Sequence, residues 1–162
     1  TMSASAGGRV TIYQQFSGGS VRSAVWANAK ARLPVGYGTP DVVAICLGTN
    51  DAARLGWRGR GTSAEYQKLL DNIATDYPTA KVIVWRPPVY AAQASMASTV
   101  LPAIDAVLVA NPTVSSVDVY GLGAGSGDTS LISNDGVHMS HYGYSLAAEL
   151  FAAKIATVLG FP

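Results

Sequence analysis

Asp135 and His138 stand three residues apart in the segment NDGVHMSHYGY. A neutral imidazole can take a proton from a serine hydroxyl, and a carboxylate beside it fixes its tautomer and stabilises the imidazolium that forms. In a loop, this spacing lets the two side chains meet at hydrogen-bond distance. A second polar cluster, GTND (Gly48, Thr49, Asn50, Asp51), ends an apolar run over 41–47. The oxyanion formed when an ester carbonyl is attacked needs donors placed in advance, and an Asn side chain with a glycine backbone N–H meets that need. Asn50, with Gly18 from the segment FSGGS, are the candidates.

The elements that must position these residues follow from periodicity. Short β-rich runs alternate with longer amphipathic stretches, the pattern of an α/β fold with a mainly parallel sheet. Strands are expected over 9–16, 41–47, 81–85 and 114–120. The run over 41–47 is almost continuously apolar, as a central strand covered on both faces requires. Helices are expected over 20–33, with Val21, Ala24, Val25 and Ala29 toward the sheet, and over 63–76, with Tyr66, Leu69, Leu70 and Ile73 at helical spacing. Another is expected over 94–110, with a kink or boundary at Pro102, and a closing one over 142–159. Ligands of open α/β sheets bind beyond the carboxyl ends of the strands, and FSGG, GTND and the His138 segment all fall in connections of that kind.

Composition bounds the possibilities. A chain of 162 residues is expected to form one domain over 1–162, and 49% apolar against 13% charged residues describes a packed globular protein, not a disordered one. Eleven basic against ten acidic side chains leave a charge of +1, which opposes nucleic-acid binding. A single cysteine, Cys46, excludes an intramolecular disulfide and a Cys-rich zinc site, and its place in the 41–47 strand suggests a small buried hydrophobe. No apolar stretch approaches the roughly 18 residues of a membrane span, and TMSASAGG lacks the regions of a signal peptide, so a soluble chain is expected.

GTND after a hydrophobic strand, with DGVH and a Gly-Tyr helix start near the C-terminus, resembles the SGNH hydrolases, also called GDSL-type esterases and lipases. FSGGS matches the family's second block at Gly18, and the resemblance spans nearly the whole chain. It implies a three-layer α/β/α sandwich with a flavodoxin-like parallel sheet, and a serine esterase acting through an acyl-enzyme on short-chain lipid esters or on acetyl and other small acyl groups of carbohydrates. It assigns His138 as base, Asp135 as its partner, and Gly18 and Asn50 as oxyanion donors, needs no metal or organic cofactor, and leans toward secretion without settling the compartment. The family's first block, a strand followed by GDS that carries the nucleophile, has no match here.

Three readings of the missing block stay open. A second polypeptide, or a segment outside this sequence, supplies the nucleophile strand; or Gly18, Gly19, Ser20 and Val21 form a degenerate GDSL with Ser20 as nucleophile; or the chain is a non-catalytic carbohydrate- or partner-binding module on the same scaffold. Ser3 and Ser5 are weaker nucleophile candidates, in what reads as a flexible terminus. His141 is expected at the surface or in a capping role, Asp51 as an acceptor of loop N–H groups, and Asn134 in a turn. Arg54, Trp57, Arg58 and Arg60 either grip an anionic or sugar-like substrate or form a solvated loop. Trp85, Arg86 and Tyr90 are candidates to line the cleft. The segment GLGAGSGDTS lacks the spacing of a phosphate-binding loop and is expected to be a flexible loop.

Overall fold

The computed structural model describes residues 2–3, 9–10, 24–31, 38–48, 62–88, 98, 100–122, 129–134 and 138–161. At the start, β1 (Met2–Ser3) pairs antiparallel with β2 (Arg9–Val10), Met2 opposite Val10 and Ser3 opposite Arg9. The strand expected over 9–16 is described at its first two residues, and there it belongs to a separate ribbon, not to the parallel sheet. Ser3, expected in a flexible terminus, is part of that ribbon.

After α1 (Ala24–Ala31), the chain alternates β3 (Val42–Ile45), α2 (Thr62–Asp76), β4 (Lys81–Arg86), α3 (Leu101–Ala110) and β5 (Ser115–Asp118). A 3-10 turn at Thr129–Leu131 and the long α4 (His141–Leu159) complete it. The three strands form a parallel sheet in the order β3-β4-β5, with Val42 opposite Lys81 and Ile83 opposite Ser115. Parallel neighbours need a crossover between them, and α2 and α3 provide it.

Alternation along β4 divides the core into two layers. Val82 and Val84 face one side, with Ile45, Leu47, Tyr66, Leu69, Leu70, Ile73, Val100, Leu101, Ile104 and Val107 from β3, α2 and α3. Ile83 and Trp85 face the other, with Val117, Val119, Met139 and Ala147, against α4. Ile83 and Val84 have almost no exposed surface, and burying each such side chain contributes about 1.5–3 kcal/mol. Helices on both faces of a parallel sheet make the expected α/β/α sandwich.

The strand over 41–47 departs from its expected central, doubly covered position. Among the described residues β4 is the middle strand and β3 pairs on one side alone. Val43, Ile45 and Leu47 pack toward α2 and α3, but Ala44 and Cys46, on the opposite face, are exposed. An apolar run signals burial of a strand without saying how far each face is covered, and α4 lies over β4 and β5.

Helix ends follow their local chemistry. Pro102 sits in the first turn of α3, where a missing N–H costs nothing, so the expected boundary there is real. Asn111 ends α3: its Nδ2 donates to the Val107 carbonyl at 2.7 Å and to Gln67 Oε1 at 2.8 Å, tying α3 to α2. Gly160 closes α4 with φ +73, the left-handed conformation that suits glycine, and its N–H reaches back to the last turn. α1 docks on α2 through Asp76, which accepts from Trp26 Nε1 at 2.6 Å and pairs with Lys30 at 2.8 Å. The Trp26 ring meets Tyr77 edge-on, with centroids 5.6 Å apart.

Candidate functional site

Parallel strands open all their carboxyl ends on one edge of the sheet, and in sequence Asn50 follows β3 while Asp135 and His138 follow β5. Leu47 and Gly48 leave β3 buried. Gly48 has φ +116, which an L side chain rarely adopts, and a methyl group there would touch Ile104, Pro87 and Val100 at 3.4–3.5 Å. Glycine therefore permits the chain to turn tightly over α3 at the point where it leads into Thr49 and Asn50. The Leu47 carbonyl, one residue earlier, accepts a hydrogen bond of 2.9 Å from Trp85 Nε1 on the neighbouring strand. Asn50 itself lies outside the described residues, as do Gly18, Asp135, Asp51, Ser5 and Ser20.

His138 stands at the base of a closed loop. Ile132 and Met139 form an antiparallel bridge, Ser133 N–H donates to the His138 carbonyl at 2.9 Å, and Ser140 N–H donates to the Leu131 carbonyl at 2.9 Å. Asp135 belongs in sequence to the 133–138 span that these bonds close. Ser140 is the hinge between loop and helix. Its hydroxyl donates to the Ser130 carbonyl at 2.6 Å and accepts from Gly143 N–H at 3.1 Å, so one side chain caps α4 and holds the preceding turn. Gly143 lets the helix approach: a Cβ there would lie 2.5 Å from the Leu131 carbonyl oxygen and 3.2 Å from Met139 Cε.

Burial alternates across this segment in the way a site needs. Leu131 and Met139 are buried while His138 is exposed. Met139 belongs to the core layer that contains Ile83, Val117, Val119 and Ala147, so the segment carrying His138 is anchored in the layer between the sheet and α4. His141 is exposed in the first turn of α4, and Asn134 lies in a turn, both as expected.

Arg86, a candidate to line the cleft, has a different task. Its Nε and Nη2 grip the two oxygens of Asp105 at 2.8 and 3.0 Å, and Nη1 reaches Asp118 at 2.9 Å. The guanidinium lies 5.8 Å from the centre of the Tyr120 ring. Hydrogen bonding to Asp105, with the charges of both carboxylates, raises its pKa above the usual arginine value despite partial burial. A planar fork engaged in this way ties the exits of β4 and β5 to α3. Tyr90, Arg54, Trp57, Arg58, Arg60 and most of GLGAGSGDTS lie outside the described residues.

Cys46 is exposed by surface area, yet the surrounding protein pushes its thiol up to about 12 by desolvation. Both hold for a side chain at the rim of the open β3 face, where a probe reaches the residue but a thiolate would be poorly hydrated. Its expected place in the core is corrected; its expected lack of reactivity is kept. Among the described residues no group of three or more His, Cys, Asp or Glu converges as a metal site, and no helix is long and apolar enough to cross a membrane. A shallow depression lined by Trp26, Lys30, Asn72 and Asp76 lies between α1 and α2, away from the strand exits, and Asp76 there already binds Trp26 and Lys30.

Of the site residues expected from the sequence, Gly18, Asn50, Asp135 and His138, the last falls among the described residues and the other three lie outside them. Sequence reasoning missed Ser140, although a serine before an amphipathic run is a helix-start signal, and it saw Trp85 without its partner at Leu47. The family described as GDSL-like lipase/acylhydrolase matches residues 2–146. The crystal structure of the lipase/acylhydrolase from Enterococcus faecalis is similar at 25% identity and a TM-score of 0.55, over 72% of this chain and 61% of that one. The chain therefore spans about three-fifths of the length of that protein. None of the curated proteins compared with it matches.

Proposed function

Because the chain belongs to the GDSL-like lipase/acylhydrolase family, we propose that it hydrolyses carboxylic esters by acyl transfer to a serine. His138 is the general base and Asp135 the carboxylate that orients it. Asn50 and Gly18 donate to the oxyanion. The imidazole takes the serine proton as the hydroxyl oxygen attacks the ester carbonyl, and the charge that develops on the carbonyl oxygen is held by the two donors. The imidazolium then protonates the departing alcohol, and water activated by the same histidine releases the acid.

The observation that carries this reading is the closed loop before α4. It anchors His138 by its own carbonyl, between buried Leu131 and Met139, with the side chain on the solvent side. A histidine in an unconstrained surface loop would have no reason to be fixed on both flanks. The scarcity of long apolar stretches in the sequence favours a small acyl group, such as acetyl, on a polar carrier such as a carbohydrate.

The nucleophile is proposed to come from a strand beside β3 that lies outside this sequence, in a second polypeptide or in a further segment of the same one. Among the described residues β3 is the end strand of the sheet, paired with β4 alone, which supports this, since the backbone groups of an unpaired edge invite another strand. Fluorophosphonate labelling of the purified protein with everything that accompanies it, followed by peptide mapping, tests both statements. Label on a serine outside these 162 residues is the expected result, and its loss on separation would assign it to a second polypeptide. Label on Ser20 would keep the esterase and discard the strand outside this sequence. Absence of label on any chain, with no ester turnover, would refute the esterase and leave a binding module on the same scaffold.

A further inference from the structure

We propose that Ser140 is a positioning residue for His138: its hydroxyl locks the register of the short antiparallel ladder on which His138 sits, and so fixes the face that His138 occupies. The reaction this serves rests on the ester-hydrolysis reading, whereas the geometry does not.

A ladder this short is held by little. Ile132 pairs antiparallel with Met139, and two backbone bonds flank the pair, Ser133 N–H to the His138 carbonyl and Ser140 N–H to the Leu131 carbonyl, each at 2.9 Å. A two-stranded ribbon by itself is marginal in water. Successive side chains along an extended segment alternate between faces, and here Met139 is buried while its neighbour His138 is exposed. A slip of one residue would exchange the two, turning His138 toward the core and the thioether toward solvent. Burial of Met139 opposes the slip, and Ser140 opposes it by a second, independent route.

The Ser140 hydroxyl has one hydrogen and two lone pairs, and both kinds of group are used. It donates to the Ser130 carbonyl at 2.6 Å, adding a third bond beyond the Leu131 rung, and it accepts from Gly143 N–H at 3.1 Å in the first turn of α4. α4 runs on to Leu159 and packs through Ala147, Phe151, Ile155 and Val158 into the layer that contains Met139. The ladder is thereby tied to a packed helix, and one strand of it is not free to slide along the other. A helix cap needs the acceptor alone. The bond to Ser130 is surplus to capping, and it gives Ser140 a role beyond the helix end.

The two roles separate chemically. In Ser140→Asp an ionised carboxylate still accepts from Gly143 N–H and suits a helix start, but it has no hydrogen for the Ser130 carbonyl. Ser140→Thr keeps both bonds, and the extended backbone there, φ −68 and ψ 168, suits a β-branched residue.

The test compares both variants with the wild type, each together with whatever chain accompanies it. In Ser140→Asp, hydrogen-exchange protection of the Ser133 and Ser140 amides falls at least about tenfold while that of Ala147 within α4 stays. In ester turnover kcat falls about ten- to a hundredfold with KM within about twofold, since misplacement of a catalytic group by about 1 Å can cost about a hundredfold. Both losses persist at about 0.5 M salt, where the charge of the new carboxylate is screened, and Ser140→Thr stays within about threefold of the wild type in every readout. A cap alone would leave Ser133 protection and kcat of Ser140→Asp at wild-type values; either result overturns the proposal, as does recovery at high salt or a threonine variant as impaired as the aspartate one. If the wild type turns over no ester, the functional reading fails and exchange alone decides the lock. Should Ser140→Asp not fold, exchange of the wild type decides: the Ser133 and Ser140 amides are expected to open together, with protections within about threefold of each other, and protections further apart refute it.

Discussion

Replacing Gly143 by alanine measures how tightly α4 is pressed against the loop that carries His138. The added methyl would lie 2.5 Å from the Leu131 carbonyl oxygen and 3.2 Å from Met139 Cε. A carbon and a carbonyl oxygen ordinarily approach to about 3.3 Å, so the overlap is close to an ångström and falls on backbone, which cannot swing aside as a side chain tip can. The same Leu131 carbonyl is held by Ser140 N–H at 2.9 Å, and Ser140 Oγ is bonded to Gly143 N–H at 3.1 Å. Relief therefore strains the cap or opens the bridge. Overpacking of this kind costs about 1–3 kcal/mol, and the better helix propensity of alanine returns about 0.5–1 kcal/mol. The net loss of about 1–2 kcal/mol corresponds to a Tm lower by about 2–8 °C for a chain of this size. Calorimetry or a circular-dichroism melt reads it, and serine labelling by a fluorophosphonate should slow in parallel as His138 is displaced. A variant as stable as the wild type would show that helix and loop can separate freely, and would remove the anchoring on which the His138 assignment leans.

Other perturbations test the supporting contacts. Arg86→Met removes the fork to Asp105 and the bond to Asp118; because both carboxylates are largely exposed, a loss of about 1–2 kcal/mol is expected, read by urea unfolding, and a loss under about 0.3 kcal/mol would mean the network is decorative. Hydrogen bonding from Lys30, then from Trp26, holds the Asp76 carboxyl below its usual range. A carboxyl depressed in the folded state stabilises above its unfolded pKa, so the stability difference between wild type and Asp76→Asn should be constant above about pH 5 and vanish as pH falls through the carboxylate range; a difference independent of pH would contradict this. Cys46, with its thiol near 12 instead of 9.0, should react with iodoacetamide at pH 8 about a hundred- to a thousandfold slower than free cysteine, despite its exposure, and alkylation at the free-thiol rate would refute the desolvation.

What the amino-acid sequence determines by itself is local. Pro102 marks the start of α3 because a residue without an N–H suits only a first turn. Tyr66, Leu69, Leu70 and Ile73 are all buried in one layer because helical spacing puts them on one face. The order of strands and helices, and with it the sandwich, follows from the alternation of periods, and GTND with DGVH points to the family. Other properties depend on partners far apart in the chain. Trp85 meets Leu47, Arg86 meets Asp105 and Asp118, and Gly143 meets Leu131, and neither propensity nor periodicity carries information about such pairs. The same limit explains the strand over 41–47: its apolar run required burial of Ile45 and Leu47, but whether a neighbour covers Ala44 and Cys46 is a matter of what packs beside β3. The candidate site is legible in the sequence as a set of residue types, whereas the pairing of segments far apart in the chain is decided by the packing of the sheet against its helices.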